Sequence, residues 1–274
     1  MPEAVPIAVH LLPSLIPPGA LRGGIAVVLD VLRASTMIVH ALAAGCDAVL
    51  PCVEVDEARR LARSLAPGTA LLAGERHGVP IEGFDLGNSP RSCIPERCRG
   101  KSLCFTTTNG TRAILATLES ERVVVGSFPN FRATLELVLD DRRPVHVVCS
   151  GTEGEVSFED TLLAGALVHA LSGERAGVPT NDPARIAEQF WRARLRDDRP
   201  LADILALGRG GRRVTELGLR DDIEAAAEVD SFRLVAELDR GSVSGAAQTG
   251  TPNPTVSHKG GGDWPYPLRI VARR

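Results

Sequence analysis

Short apolar runs rich in β-branched residues, each handed on through a few polar residues to a stretch of helical period, recur along this chain and fix its fold class. The first is Gly24-Ile25-Ala26-Val27-Val28-Leu29-Asp30, followed by a helical stretch over Thr36–Ala44 that stops at Gly45. Ala70-Leu71-Leu72-Ala73 and Ser102–Thr106 read as further strands, the second leading into a helix over Thr111–Leu118. Val123–Gly126 precedes a helix over Arg132–Leu139, and Val145–Cys149 precedes one over Asp160–Leu171. Strands that are apolar on both faces must be covered on both faces. The pattern therefore predicts an α/β fold with three α/β/α layers around a mostly parallel sheet, with mixed pairing admissible.

The segment Asp182–Leu238 reads as helical throughout, with its most charged part at Arg192–Arg199. Beyond it, Gly241–Pro267 is dominated by Gly, Ser, Thr and Pro, residues that cannot bury enough surface to offset their ordering entropy. We expect one domain over residues 1–240 and a Gly/Pro/Ser/Thr-rich C-terminal tail over 241–274.

Composition narrows the function. The chain of 274 residues carries 31 Lys and Arg against 34 Asp and Glu, a formal charge of −3, so no global positive field exists to hold nucleic acid or an anionic membrane. No apolar run approaches the roughly 18 residues of a membrane span, and Met1-Pro2-Glu3 lacks the basic start of a signal peptide. A cytoplasmic location is expected. The six cysteines form no Cys-x-x-Cys pair and read as reduced, structural thiols.

In a sheet whose strands feed helices, ligands sit beyond the carboxyl ends of the strands, so the residues after each strand are the candidates. Asp30-Val31-Leu32-Arg33-Ala34-Ser35-Thr36 offers a carboxylate, a guanidinium and two hydroxyls. Asp30 alone suits a helix cap. Arg33 beside it is harder to explain structurally, because a cation near a helix N-terminus opposes the dipole unless an anion lies between them.

Thr106-Thr107-Thr108-Asn109-Gly110-Thr111 supplies hydroxyls and backbone N–H groups at a strand-to-helix turn, the makings of an anion nest, although a threonine cap uses the same residues. Neither Gly-x-x-x-x-Gly-Lys-Ser/Thr nor Gly-x-Gly-x-x-Gly occurs after a strand, so mononucleotide and dinucleotide loops have no support. Ser150-Gly151-Thr152 leads to Glu159-Asp160, acids that a helix first turn also favours for its dipole. Glu75 and Asp85 follow another strand. Carboxylates from several strand ends, without a His or Cys cluster, suit a hard cation such as Mg²⁺.

The candidates are therefore Asp30, Arg33 and Glu159 for catalysis and Asp30, Glu75, Asp85 and Asp160 for the metal. Arg76, Asn88, Thr107, Thr108, Asn109, Gly110, Thr111, Ser150 and Gly151 are the candidates for substrate or phosphate binding. Asp30 has two open roles, metal ligand or nucleophile forming an aspartyl-phosphate. The expected partner is a small anionic phosphorylated substrate; a homo-oligomer is compatible with the sequence.

These motifs, together with Gly74-Glu75-Arg76 and Gly83-Phe84-Asp85-Leu86-Gly87-Asn88-Ser89-Pro90, resemble in order and spacing the 2-phosphosulfolactate phosphatase family, from about Ile25 to Leu238. The resemblance implies an α/β/α fold of its own class and Mg²⁺-dependent hydrolysis of 2-phosphosulfolactate to sulfolactate and phosphate, a step of coenzyme M biosynthesis. The chain departs from the family pattern at Arg209-Gly210-Gly211, where relatives often read Arg-His-Gly, and at Glu224-Ala225-Ala226-Ala227. A non-catalytic binder of phosphorylated or sulfonated acids, and an isomerase or lyase on a phosphorylated substrate, are the competing readings. Phosphate release separates hydrolysis from both.

Overall fold

A computed structural model describes residues 5–174, 178–240 and 268–273. Ten strands form one sheet: β1 (Ile7–His10), β2 (Ile25–Leu29), β3 (Ala48–Pro51), β4 (Ala70–Arg76), β5 (Val79–Pro80), β6 (Ser102–Thr106), β7 (Arg122–Gly126), β8 (Val145–Cys149), β9 (Val235–Asp239) and β10 (Arg269–Arg273). The helices are α1 (Ala34–Ala43), α2 (Val55–Ser64), α3 (Pro95–Cys98), α4 (Gly110–Ala116), α5 (Phe131–Asp140), α6 (Phe158–Glu174), α7 (Asp182–Arg194), α8 (Leu201–Leu205), α9 (Arg209–Glu216) and α10 (Arg220–Ala227).

The spatial order is β1-β8-β2-β7-β9-β10-β3-β6-β4-β5. Two parallel blocks, β1-β8-β2-β7 and β3-β6-β4, are joined by antiparallel β9 and β10. The sheet is thus mostly parallel and mixed, as the apolar runs implied. Helices α5 to α10 pack on one face around Leu162, Leu163 and Leu167, and α1 with α4 fills the other around Met37, Ile38 and Phe105. Helix α2 covers β3 and β6 from the side opposite α1 through Ala58. This is the three-layer arrangement expected.

Three alternate β9, β10 and β3 pairings reverse the polarity of the second block relative to the first. Neighbouring strands rotate by about 20–25°, so the five steps from β2 to β6 accumulate more than about 100°. The carboxyl ends of both blocks meet over α1 and α4, where Gly110 packs against Ala34 and the Asp30 carboxylate.

Two expectations are corrected. The helical segment ends before Leu238, because Val235–Asp239 is a strand whose Glu237 is gripped by both Nε and Nη2 of Arg122 on β7, each at 2.9 Å. A short apolar run carries too little periodicity to separate strand from helix. Of the expected tail, 241–267 lie outside the described residues, but 268–273 return to the sheet interior as β10, with Ile270 fully buried. Among the described residues no helix is long and apolar enough to cross a membrane, and all six cysteines are free and buried.

At the β1–β8 edge, His10 stacks on His146 with centroids 5.5 Å apart. Burial, with the neighbouring His146 second, lowers the His10 pKa to about 4, and burial also lowers that of His146. A folded pKa below the unfolded value means that this stabilisation is complete above about pH 6.5 and is lost as pH falls toward 4. Buried carboxylates elsewhere have the opposite slope, so the pair is isolated by comparison with His10→Gln. Between pH 7 and pH 5 the wild-type Tm should fall further than that of the variant, by about 3–6 °C in a thermal melt.

Candidate active site

The strand-end loops of both blocks enclose a cavity of about 420 Å³ lined by Asp30 and Arg33 after β2, Glu75 at the end of β4, Thr107 to Asn109 after β6, and Thr152 and Glu153 after β8. Its geometry follows from local rules. A buried strand delivers Asp30 to the first turn of α1, where Asp30 accepts the Ala34 N–H at 3.1 Å and donates its own N–H to Ser35 Oγ at 2.7 Å. Gly110, lacking a side chain, lets the Asp30 carboxylate approach the start of α4; a Cβ there would lie 2.8 Å from Asp30 Oδ2.

Strand β4 runs three residues further than expected, and this separates two candidates. Successive side chains of a strand point to opposite faces. Glu75 turns to the cavity, where it accepts the N–H of Gly78 at 2.6 Å and of Thr108 at 2.8 Å. Arg76 turns away and donates to the Glu75 and Val53 carbonyls and to Thr106 Oγ1, and it is not among the lining residues. Asp85 is also outside the cavity, its carboxylate accepting the Leu72 N–H at 2.8 Å.

The threonine turn is partly occupied by its own protein. The Thr108 N–H serves Glu75, Thr107 and Thr111 exchange backbone-to-hydroxyl bonds at 3.2 and 3.3 Å, and Asn109 Oδ1 accepts the Glu153 N–H. The loop therefore fills its capping role and leaves Thr108 Oγ1 without a protein partner. Ser150 and Gly151 donate to Asp160 Oδ2 at 3.0 and 3.2 Å, while Asp160 Oδ1 accepts the Val31 N–H at 2.8 Å. Asp160 is a buried brace between the β2 and β8 loops. Gly151 has φ of +72°, with the Glu155 carbonyl 2.6 Å from where a Cβ would stand, so only glycine fits that turn.

Burial raises the Asp30 pKa to about 6, with the charge of Glu75 adding to the rise and hydrogen bonds from Ala34 and Ser150 opposing it. Burial, then the charge of Asp30, raises Glu159 to about 7, and burial with both neighbours holds Asp160 well above the carboxylate range. Such a group is short of positive charge at neutral pH. Asn88 Oδ1, Thr108 Oγ1 and Glu159 Oε2 are buried with no hydrogen-bond partner, and Asn88 and Thr108 line the cavity. Among the described residues no three His, Cys, Asp or Glu side chains are grouped as a ready metal site. Mg²⁺ asks for less, because it keeps several waters and uses one or two carboxylates with substrate phosphate. The all-oxygen donors Asp30 and Glu75 fit it.

Several residues escaped the sequence reading. Arg209, Arg212 and Arg213 of α9 form the opposite wall, with His77 and Glu216. Arg33 Nη1 donates to Asp222 of α10 at 2.7 Å, and Asp222 also accepts Ser89 Oγ at 2.5 Å; the second branch, Nη2, donates to the Gly78 carbonyl at 3.1 Å. Only the departure at Arg209-Gly210-Gly211 hinted at this wall. The absent side chains let α9 settle on Glu159, since a Cβ on Gly210 would stand 1.9 Å from Glu159 Oε1.

An acidic floor at strand ends faces an arginine wall across a cavity of about 420 Å³, a volume that suits a small charged molecule on an α/β fold. The family model for 2-phosphosulpholactate phosphatase matches residues 10–241, and the chain belongs to that family. A probable 2-phosphosulfolactate phosphatase of Caldanaerobacter subterraneus subsp. tengcongensis is 39% identical over 217 residues, 79% of this chain and 88% of the relative. Proteins bearing the same description are 43% identical in Synechococcus sp. (212 residues, 77% and 85%) and 33% identical in Clostridium acetobutylicum (218 residues, 80% and 91%). The matched region stops short of β10.

Proposed function

We propose that this chain is a Mg²⁺-dependent phosphatase that hydrolyses 2-phosphosulfolactate, or a closely similar phosphorylated acid, to the free acid and phosphate. The observation that carries the reading is the pair of buried carboxylates on the floor, Asp30 and Glu75, with Glu159 packed behind Gly210; a divalent cation relieves their deficit of positive charge. Asp30 and Glu75 would hold the cation, which when bound supplies charge neutralisation and polarisation of the phosphoryl group. Thr108 Oγ1 and the Asn88 side chain orient phosphoryl oxygens. Glu159 lies outside the cavity lining, packed against Gly210 with its pKa raised to about 7 by burial, and is assigned no contact with the substrate.

The test is phosphate release from 2-phosphosulfolactate with Mg²⁺ and after exhaustive chelation. Chelation should cost at least about a hundredfold in rate, and saturating Mg²⁺ should raise Tm by a few degrees. Full activity in the metal-free protein would remove the metal, and absence of phosphate release would remove hydrolysis.

A further inference from the structure

Every strand-end loop brings acid or hydroxyl groups to this cavity, and its positive charge comes chiefly from one short helix. Helix α9 is held on both flanks. Arg209 bonds Glu155 at 2.7 Å and also Glu153, both in the loop after β8. Leu217, just past the helix, packs on Gly78 in the turn after β4, and Val214 is buried in the main core. The helix is therefore a fixed wall, and its two other arginines line the cavity as exposed side chains. Arg213 is half-exposed, donating to the His77 carbonyl at 3.4 Å and with Glu216 at 3.7 Å on its own helix. Arg212 bonds the Leu207 carbonyl and, among the described residues, has no carboxylate within ion-pair distance.

Arg33 is held more tightly, its side chain 4% exposed against 51% for Arg213. One of its terminal nitrogens is bound to Asp222 and the other to a carbonyl. A substrate with one transferable phosphoryl group and further acid groups meets a floor that repels anions and a wall that attracts them. The phosphoryl group reaches the floor only with a cation, and the remaining acids must point away from it.

We propose that Arg212 and Arg213 are the specificity-determining residues, receiving the carboxylate and sulfonate that stay on the organic product, and that they select polyanionic phosphorylated acids over simple phosphomonoesters. The inference rests on the proposed phosphatase reading for the identity of the transferred group, and on the α9 geometry for the rest. A guanidinium offers a planar fork to two oxygens, so a charge-assisted contact here is worth roughly ten- to a hundredfold in affinity.

The experiment measures, by calorimetry with Mg²⁺ present, the binding of sulfolactate, which carries both untransferred acids, and of inorganic phosphate. The wild type is compared with Arg212→Gln, Arg213→Gln and the double variant. Both side chains are exposed, so Tm should stay within about 2 °C; if the double variant fails to fold, the single variants carry the comparison. The expected result is a sulfolactate Kd raised about 10- to 100-fold in the double variant, against less than about threefold for phosphate. Equal losses for both ligands, no loss for either, or a wild type that binds phosphate but no sulfolactate would overturn the proposal. A wild type that releases no phosphate, yet binds sulfolactate through these arginines, would sink the phosphatase reading and leave the assignment of α9 standing.

Discussion

A chain ending at residue 267 should fail to fold, even though it retains every candidate site residue. Strand β10 lies between β9 and β3, pairing with β9 across five residues and with β3 at Val49. Leu268 and Ile270 are buried in the core beneath α1. Returning two such side chains to water costs about 3–6 kcal/mol, before counting the ladder hydrogen bonds, and whole-domain stabilities are only about 5–15 kcal/mol. Thermal melts of the truncated chain should show no cooperative transition, or one lowered by at least about 10 °C. Ile270→Asp, which forces a charge into the same place, should behave alike. A 1–267 chain melting at the wild-type Tm would show that β10 is dispensable.

The second large effect is expected at Asp222, a residue with no place in the cavity lining. Its carboxylate and the Arg33 guanidinium are 2% and 4% exposed, so each depends on the other for its charge to be tolerated. Asp222→Ala strands Arg33, at a cost of about 3–5 kcal/mol, and releases the guanidinium from its fixed direction. Activity should fall by about 10²–10³-fold alongside the loss of Tm. The two effects separate in Arg33→Met with Asp222→Leu. Replacing a buried pair with apolar side chains of similar volume is often neutral for stability, so Tm should recover while kcat stays low. Asp222 is a positioning residue, and full activity in the double variant would remove Arg33 from the reaction as well.

The floor of the site was legible because it is local. Asp30, Thr107 and Ser150 each stand within a residue or two of a strand whose unbroken apolar run declares both its existence and its end. Glu75 and Arg76 were confused for the same reason in reverse: a strand read as ending at Ala73 continues to Arg76, and its alternation sends one side chain into the cavity and the other behind it. The wall was not legible. Arg33 and Asp222 are 189 residues apart, and nothing in Asp221-Asp222-Ile223 marks a helix first turn as the counter-ion of a distant arginine. Arg212 and Arg213 are ordinary solvent-type residues until the fold sets them above an acidic floor. Strands β9 and β10 evaded the reading because each presents charged residues on one face, Glu237 and Asp239 against Arg269 and Arg273, with Glu237 paired to Arg273 across the β9–β10 ladder and to Arg122 on β7.

The reversal of strand polarity across β9 and β10 also dictates when the enzyme can exist. Ile270 pairs with Val49, so the joint between the two blocks is made by residues far apart in the order of synthesis. Asp30 and Thr152 come from one block and Glu75 and Thr107 from the other, and both blocks have left the ribosome long before the strand that sets them in register. Closing such a long loop is slow relative to forming local helices. Until it closes, the nascent chain carries two open sheet edges, at β9 and β3, able to pair with those of other chains. The candidate cavity is thus complete only once β10 has formed, and its assembly waits on a strand that contributes nothing to its lining.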